Sequence, residues 1–250
     1  MSLQTLERPT GTAGLLRFIH YGFMPNHLGY CGGDDNRELF EYGAAGQADP
    51  GLMPILRQFT GALPYLKLIA GANDIVDPFD ERVVEAYWLG NDLLERVEVR
   101  QLYDDLVERF RGKLSPQAMT WVAGKAPAGA RPHHNFHVFD VHSRAGEQGH
   151  SLETMDNCRI SWGQVLADVN GQLLVERQPL VLLEGTLALG APVLFPASRQ
   201  YQGRGFVHEG PVGAYVSLHW GWVCELLTPR QLSALQRNTM HHLRLANETL

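Results

Sequence analysis

The side chains best suited to metal or nucleophilic chemistry in this 250-residue chain are its eleven histidines and three cysteines. Four of the histidines, His133, His134, His137 and His142, fall in one stretch, RPHHNFHVFDVH at 131–142. Imidazoles and thiols together suit iron, nickel or zinc, and either group can serve as a base or a nucleophile. Spacing limits what the stretch does alone. On a strand, His133, Asn135 and His137 share one face, and His133 and His137 lie about 13 Å apart at ~3.3 Å per residue. One ion cannot take both. On a helix the same i, i+4 spacing would suit zinc, but Pro132 and the alternation after it predict a strand. His137 and Asn135, about 6.6 Å apart on one face, can share a site only if a further ligand comes from elsewhere. The plainer alternative is a strand edge carrying polar side chains.

Three other segments hold groups that could join them. Cys31 sits between glycines in NHLGYCGGDDN, before a predicted helix at Asp34–Ala45. A helix N-terminus acidifies a nearby thiol, whereas Asp34 and Asp35 favour its neutral form. The segment reads either as a turn with an aspartate cap or as a nucleophile served by a histidine. SLHWGWVC at 217–224 gathers His219, Trp220, Trp222 and Cys224; if it is extended, His219 faces with Ser217, and the tryptophans face the other way. Cys158, in DNCRISWG, is predicted to begin an apolar strand as a buried thiol, with Arg159 outward. Asp74, Asp77, Asp80 and Glu81 cluster in NDIVDPFDER, where helix capping explains Asp77 and Asp80. The candidates are therefore Cys31, His137 and His219 for catalysis, and His133, His137 and Cys31 for a metal.

The elements that must position these groups fall into an α+β order. From about Gly14 to Ala123 the chain reads as helical, with Asp49-Pro50, Asp77-Pro78 and Ser115-Pro116 as start signals. Leu102, Leu106 and Phe110 form an i, i+4 stripe, and Gly112 is a stop. From about Pro132 the period changes to two, with hairpin turns at Asn170-Gly171 and, more weakly, Glu184-Gly185. Thr228-Pro229, with Gln231 at the third helical position, opens a final helix. This gives a helical part (1–125), a small antiparallel β part (126–227) and a C-terminal helix (228–250) packing back, all in one compact unit.

Composition narrows the function. A net charge of −6 without a Lys/Arg run argues against a nucleic-acid binder. With 44% hydrophobic and 19% charged residues, this is an ordinary globular composition. No apolar run reaches eighteen residues, and the N-terminus lacks a signal-peptide apolar region, so a cytoplasmic location away from membranes is expected. The cysteines are odd in number and lack a CxxC pair, which excludes a disulfide framework or zinc ribbon. There is no GxGxxG before a helix, no HExxH and no GxSxG.

Taken together, HLGYCGGDDNRELFEYGAAGQADPGL, NDIVDPFDERVVEAYWLGNDLL, PHHNFHVFDVHSR, MDNCRISWGQV and SLHWGWVC resemble an uncharacterised bacterial family associated with [NiFe]-hydrogenase gene clusters of actinobacterial type. The resemblance runs from about Phe18 to Asn247. It implies an accessory or maturation protein that binds a partner, the hydrogenase large subunit or another maturation factor, or a metal fragment. On that basis Cys31, Cys158, Cys224, His133, His137 and His219 are the groups to hold iron, nickel or zinc. The alternative from residue chemistry is a small-molecule enzyme with a Cys/His or metal-dependent site between the helical and β parts. A third reading is a structural module in which these residues never meet.

Overall fold

A computed structural model describes residues 11–141 and 151–249. His142 lies outside the described residues. The chain is α+β. Its first half is helical: α1 (Thr12–His27), α2 (Asn36–Ala45), α3 (Leu52–Leu56), α4 (Leu63–Ala72), α5 (Glu81–Trp88), a 3-10 turn (Asp92–Arg96), α6 (Val99–Phe110) and α7 (Pro116–Lys125). A short helix, α8 (His134–Phe136), runs into a π turn (His137–Val141), and α9 (Leu152–Cys158) leads to the strands. These are β1 (Ser161–Val169), β2 (Gln172–Arg177), β3 (Leu180–Leu183), β4 (Thr186–Leu189), β5 (Val193–Ser198), β6 (Tyr215–His219) and β7 (Trp222–Leu227), and α10 (Pro229–Asn247) follows them.

The ends of these helices follow from their capping residues. Ser115 accepts the Ala118 N–H before Pro116, and Asp80 accepts the Arg82 N–H at the start of α5. Thr228 and Gln231 form a reciprocal box that opens α10. Each such cap is worth about 1 kcal/mol. Asp77 caps only a turn, accepting the Phe79 N–H, and the helix starts three residues later than Asp77-Pro78 predicts.

Strands β1, β2, β5, β7 and β6 close into a small barrel in that order, antiparallel except for a single parallel pairing of Ser198 with Trp222. Val165, Leu173, Val175, Ala197, Val216, Leu218 and Val223 fill its interior. β3 and β4 form a separate hairpin against α9 and α10. The predicted turns at Asn170-Gly171 and Glu184-Gly185 are present, each with both residues at positive φ. A third two-residue turn of the same kind, Trp220-Gly221, joins β6 to β7. The segment 217–224 is therefore not extended throughout: positive φ at Trp220 and Gly221 reverses the chain between His219 and Trp222.

The histidine stretch is helical, not a strand. His133 caps α8 by accepting the Asn135 N–H on Nδ1, 3.0 Å away. Residues 132–141 other than His137 are buried, so alternation of residue type does not correspond to two faces. Asn135 explains how polar residues survive there. Its amide donates to the Ile160 carbonyl and accepts the Ile160 N–H, doing for that backbone what a neighbouring strand would do. A second expectation also fails near Cys158, which ends α9 rather than beginning a strand. Arg159 is fully buried instead of outward, because Asp156 accepts from both Arg159 and Arg177. Such a paired charge tolerates burial that a lone guanidinium would not.

Candidate metal centre at the seam of the helical and β parts

Three elements bring a buried imidazole–thiol group together. His134 begins α8, Cys158 ends α9, and His219 ends β6. One ligating atom from each lies within 4.8 Å of the other two, a cluster found among the described residues. His134 and His219 are buried and Cys158 is half-buried. The two rings meet edge to face, 5.0 Å between centroids, and Cys158 Sγ is 4.0 Å from His134 Nε2.

The β6–β7 turn fixes His219. Trp220 holds a left-handed backbone conformation, φ +53°, that costs a bulky residue about 1–2 kcal/mol. Its backbone N–H donates to the Asn157 carbonyl at 2.8 Å, tying the turn to the last residues of α9. Its ring stacks on that of Tyr30, 3.9 Å apart, which places the Leu28–Gly33 loop over the same spot.

Hydrogen bonds assign the protons. His219 Nδ1 is 2.7 Å from the Tyr21 carbonyl, which can only accept, so Nδ1 carries the proton. Nε2 then presents a lone pair, and it is buried without a hydrogen-bond partner. Burial holds the imidazole down to about 4, with the Tyr21 and Cys158 carbonyls opposing weakly, so it is neutral near pH 7. His134 donates from Nε2 to the Cys158 carbonyl at 2.9 Å and accepts from Tyr87 Oη on Nδ1 at 3.1 Å. A tyrosine hydroxyl can also accept, so Tyr87 allows the proton of His134 to sit on Nδ1 and Nε2 to become a donor atom for a metal. Burial, then the neighbouring His219 and His137, keeps His134 far below the usual histidine range. Burial pushes the Cys158 thiol up to about 12. The Trp220 indole N–H favours the thiolate slightly from nearby, although it falls short of hydrogen-bond geometry.

This pattern suits a cation better than nucleophilic catalysis. A thiol held near 12 is not a nucleophile at neutral pH, whereas a metal removes that proton as it binds. Two neutral imidazoles and a thiolate are a borderline-soft set for zinc, nickel or iron. At Zn–N of about 2.0–2.1 Å and Zn–S of about 2.3 Å, tetrahedral ligand atoms lie roughly 3.3–3.6 Å apart. The group therefore has to draw in by about an ångström.

Other candidates lie at different distances from this centre. Cys31 is an exposed residue over densely packed protein: burial raises its thiol to about 12, with Cys158 the next cause. His137 is half-buried one ring further along, its centroid 6.5 Å from that of His134 and its Nδ1 3.3 Å from Tyr65 Oη. His133 is not brought to the group; it stacks on His242, 5.6 Å between centroids. Cys224 is buried in β7, with its thiol toward the Trp222 carbonyl. The sequence reading passes over His134, because a strand would turn it away from His133 and His137. The signal that could find it is the Trp-Gly pair, which ends β6 at His219 and packs on α9.

Fold and site together define an α+β protein with a buried His₂Cys group where its helices meet a small barrel. The chain belongs to the family described as a family of unknown function, DUF6390, whose model matches residues 10–250. No curated protein and no solved structure matches the chain. Among the described residues, no helix is long and apolar enough to cross a membrane.

Proposed function

We propose that this protein binds one transition-metal ion through His134, Cys158 and His219, and serves a [NiFe]-hydrogenase system as a cytoplasmic accessory or maturation protein. The observation that carries the metal assignment is His219 Nε2, buried and without a hydrogen-bond partner, on a residue whose ligating atom lies within 4.8 Å of those of a thiol and a second imidazole. A buried acceptor left unpaired costs about 1–3 kcal/mol, and a cation at that point recovers it. The hydrogenase context rests on the resemblance of the five segments quoted above. Its partner in that reading is the hydrogenase large subunit or another maturation factor.

A second reading, a metal-dependent small-molecule enzyme, is favoured by the number of donors. Three protein ligands with an open fourth position are the usual arrangement of catalytic zinc, and four are usual for zinc that is only held. Metal content separates binding from no binding. Protein purified without a histidine tag and equilibrated with zinc, nickel or iron is expected to retain about one ion per chain by mass spectrometry. Cys158→Ser and His219→Ala should lose it, and His133→Gln should keep it. Equal retention in all four proteins, or none in any, would refute the assignment.

A further inference from the structure

We propose that Cys31 is the fourth, outer ligand of this centre, carried on the exposed Leu28–Gly33 loop, so that the complete site is a closed two-thiolate, two-imidazole set for a divalent ion of the zinc class. The inference rests on the metal assignment above and deepens it.

Two contacts hold Cys31 beside the group. Its neighbour Tyr30 is stacked on Trp220, which directly follows His219. Below the loop, buried Asn26 donates from Nδ2 to the Cys31 carbonyl at 2.9 Å and to the Gly33 carbonyl at 2.6 Å. These bonds fix the backbone on both sides of Gly32. That residue has φ +81°, and a Cβ there would come within 2.6 Å of Asn26 and 2.9 Å of Phe59. Cys158 opposes ionisation of Cys31, and both sulfurs oppose that of Tyr87, the hydrogen-bond partner of His134. Cys31 lies outside the compact trio of donors, so the loop has to move inward to bring its thiol to the ion.

The chemistry of the donors favours this completion. Cys31 lies on the exposed outer loop, whereas Cys158 is half-buried and the two histidines are buried. As the outermost donor it completes the set formed by Cys158, His134 and His219. Each thiol gives up one proton to solvent as its metal–sulfur bond forms, so two protons leave per divalent ion. The resulting S₂N₂ set is tetrahedral and complete. That leaves no open position for substrate, and favours holding or handing over the ion against the enzyme reading.

Cobalt(II) titration of the full chain tests this, because thiolate-to-cobalt charge-transfer absorption scales with the number of bound thiolates. Wild type is expected to show a tetrahedral spectrum at one ion per chain. Cys31→Ser should still bind one ion with about half the charge-transfer intensity, whereas Cys158→Ser should lose binding. In parallel, X-ray absorption at the zinc edge should count two sulfur neighbours in zinc-loaded wild type and one in Cys31→Ser. An unchanged Cys31→Ser spectrum, or the same sulfur count in both proteins, overturns the fourth ligand while leaving the inner three intact. Absence of any cobalt binding by folded wild-type protein overturns the metal assignment and this inference together.

Discussion

His133 and His134 are adjacent in sequence, equally buried, and belong to two different histidine groups. His133 stacks on His242 beneath α10, and His134 meets His219 and Cys158 at the barrel seam. Both groups leave a buried ring nitrogen without a partner, so an unpaired atom alone does not tell them apart. The proton does. His133 accepts the Asn135 N–H on Nδ1, so its spare Nε2 is an N–H; His242 accepts the Arg131 N–H on Nε2, so its spare Nδ1 is also an N–H. Two N–H groups cannot hold a cation. His219 is the reverse: its Nδ1 donates to a carbonyl, and what remains is a lone pair beside sulfur. The first group works as structure and the second as a ligand set.

The largest effect expected from this contrast is in metal binding. Cys158→Ser or His219→Ala should abolish retention of zinc through gel filtration, whereas His133→Gln or His242→Gln should leave it unchanged. The second pair should instead lower unfolding stability by about 1–3 kcal/mol in urea titration, the cost of disturbing a buried hydrogen bond. Metal loss in the His133 variant with stability intact would reverse the two roles.

Acid affects both groups alike. Burial is the leading cause that holds His20 and His219 near 4 and His133 near 3, and keeps His134 and His242 well below the usual value. These folded-state values lie below the unfolded value of about 6.5, so between the two the unfolded chain binds more protons. Stability is therefore full above about pH 6.5 and falls as pH drops toward 4, by about 1.4 kcal/mol per pH unit for each histidine involved. Urea midpoints measured from pH 7.5 to 5 in metal-free protein should fall steadily. A flat profile would mean that these rings are not buried neutral.

Two smaller changes sharpen the ligand side. Tyr87→Phe removes the hydroxyl that lets His134 move its proton, and should weaken zinc affinity about 10- to 100-fold, the usual cost of losing a ligand's supporting partner. Competition with a chelator measures it; an unchanged affinity would remove Tyr87 from the account. Tyr30→Ala should cost only about 0.5–1.5 kcal/mol of stacking, but should speed zinc release in stopped-flow with the same chelator.

Much of the fold is legible in the sequence. Ser115-Pro116, the Thr228–Gln231 box and the Asn170-Gly171 and Glu184-Gly185 turns each carry their own local chemistry, and the structure follows them. What misled lay where tertiary contacts override local pattern. Alternation at 132–141 predicts a strand, but Asn135 pairs with Ile160 and makes burial on every side affordable to a helix. Trp220 is not a residue expected at positive φ, so the turn that ends β6 was hidden. Arg159 reads as outward until Asp156 is known to lie beside it. The candidate site was half visible: Cys31, Cys158 and His219 stand out by type, but His134 is selected only by the helical turn that the sequence pattern argued against.

X-ray absorption at the zinc edge of zinc-loaded wild-type protein tests the central claim most directly. The account predicts a four-coordinate shell of mixed sulfur and imidazole, with sulfur at about 2.3 Å and nitrogen at about 2.0–2.1 Å. A shell of oxygen and nitrogen alone, with no sulfur distance, would contradict it.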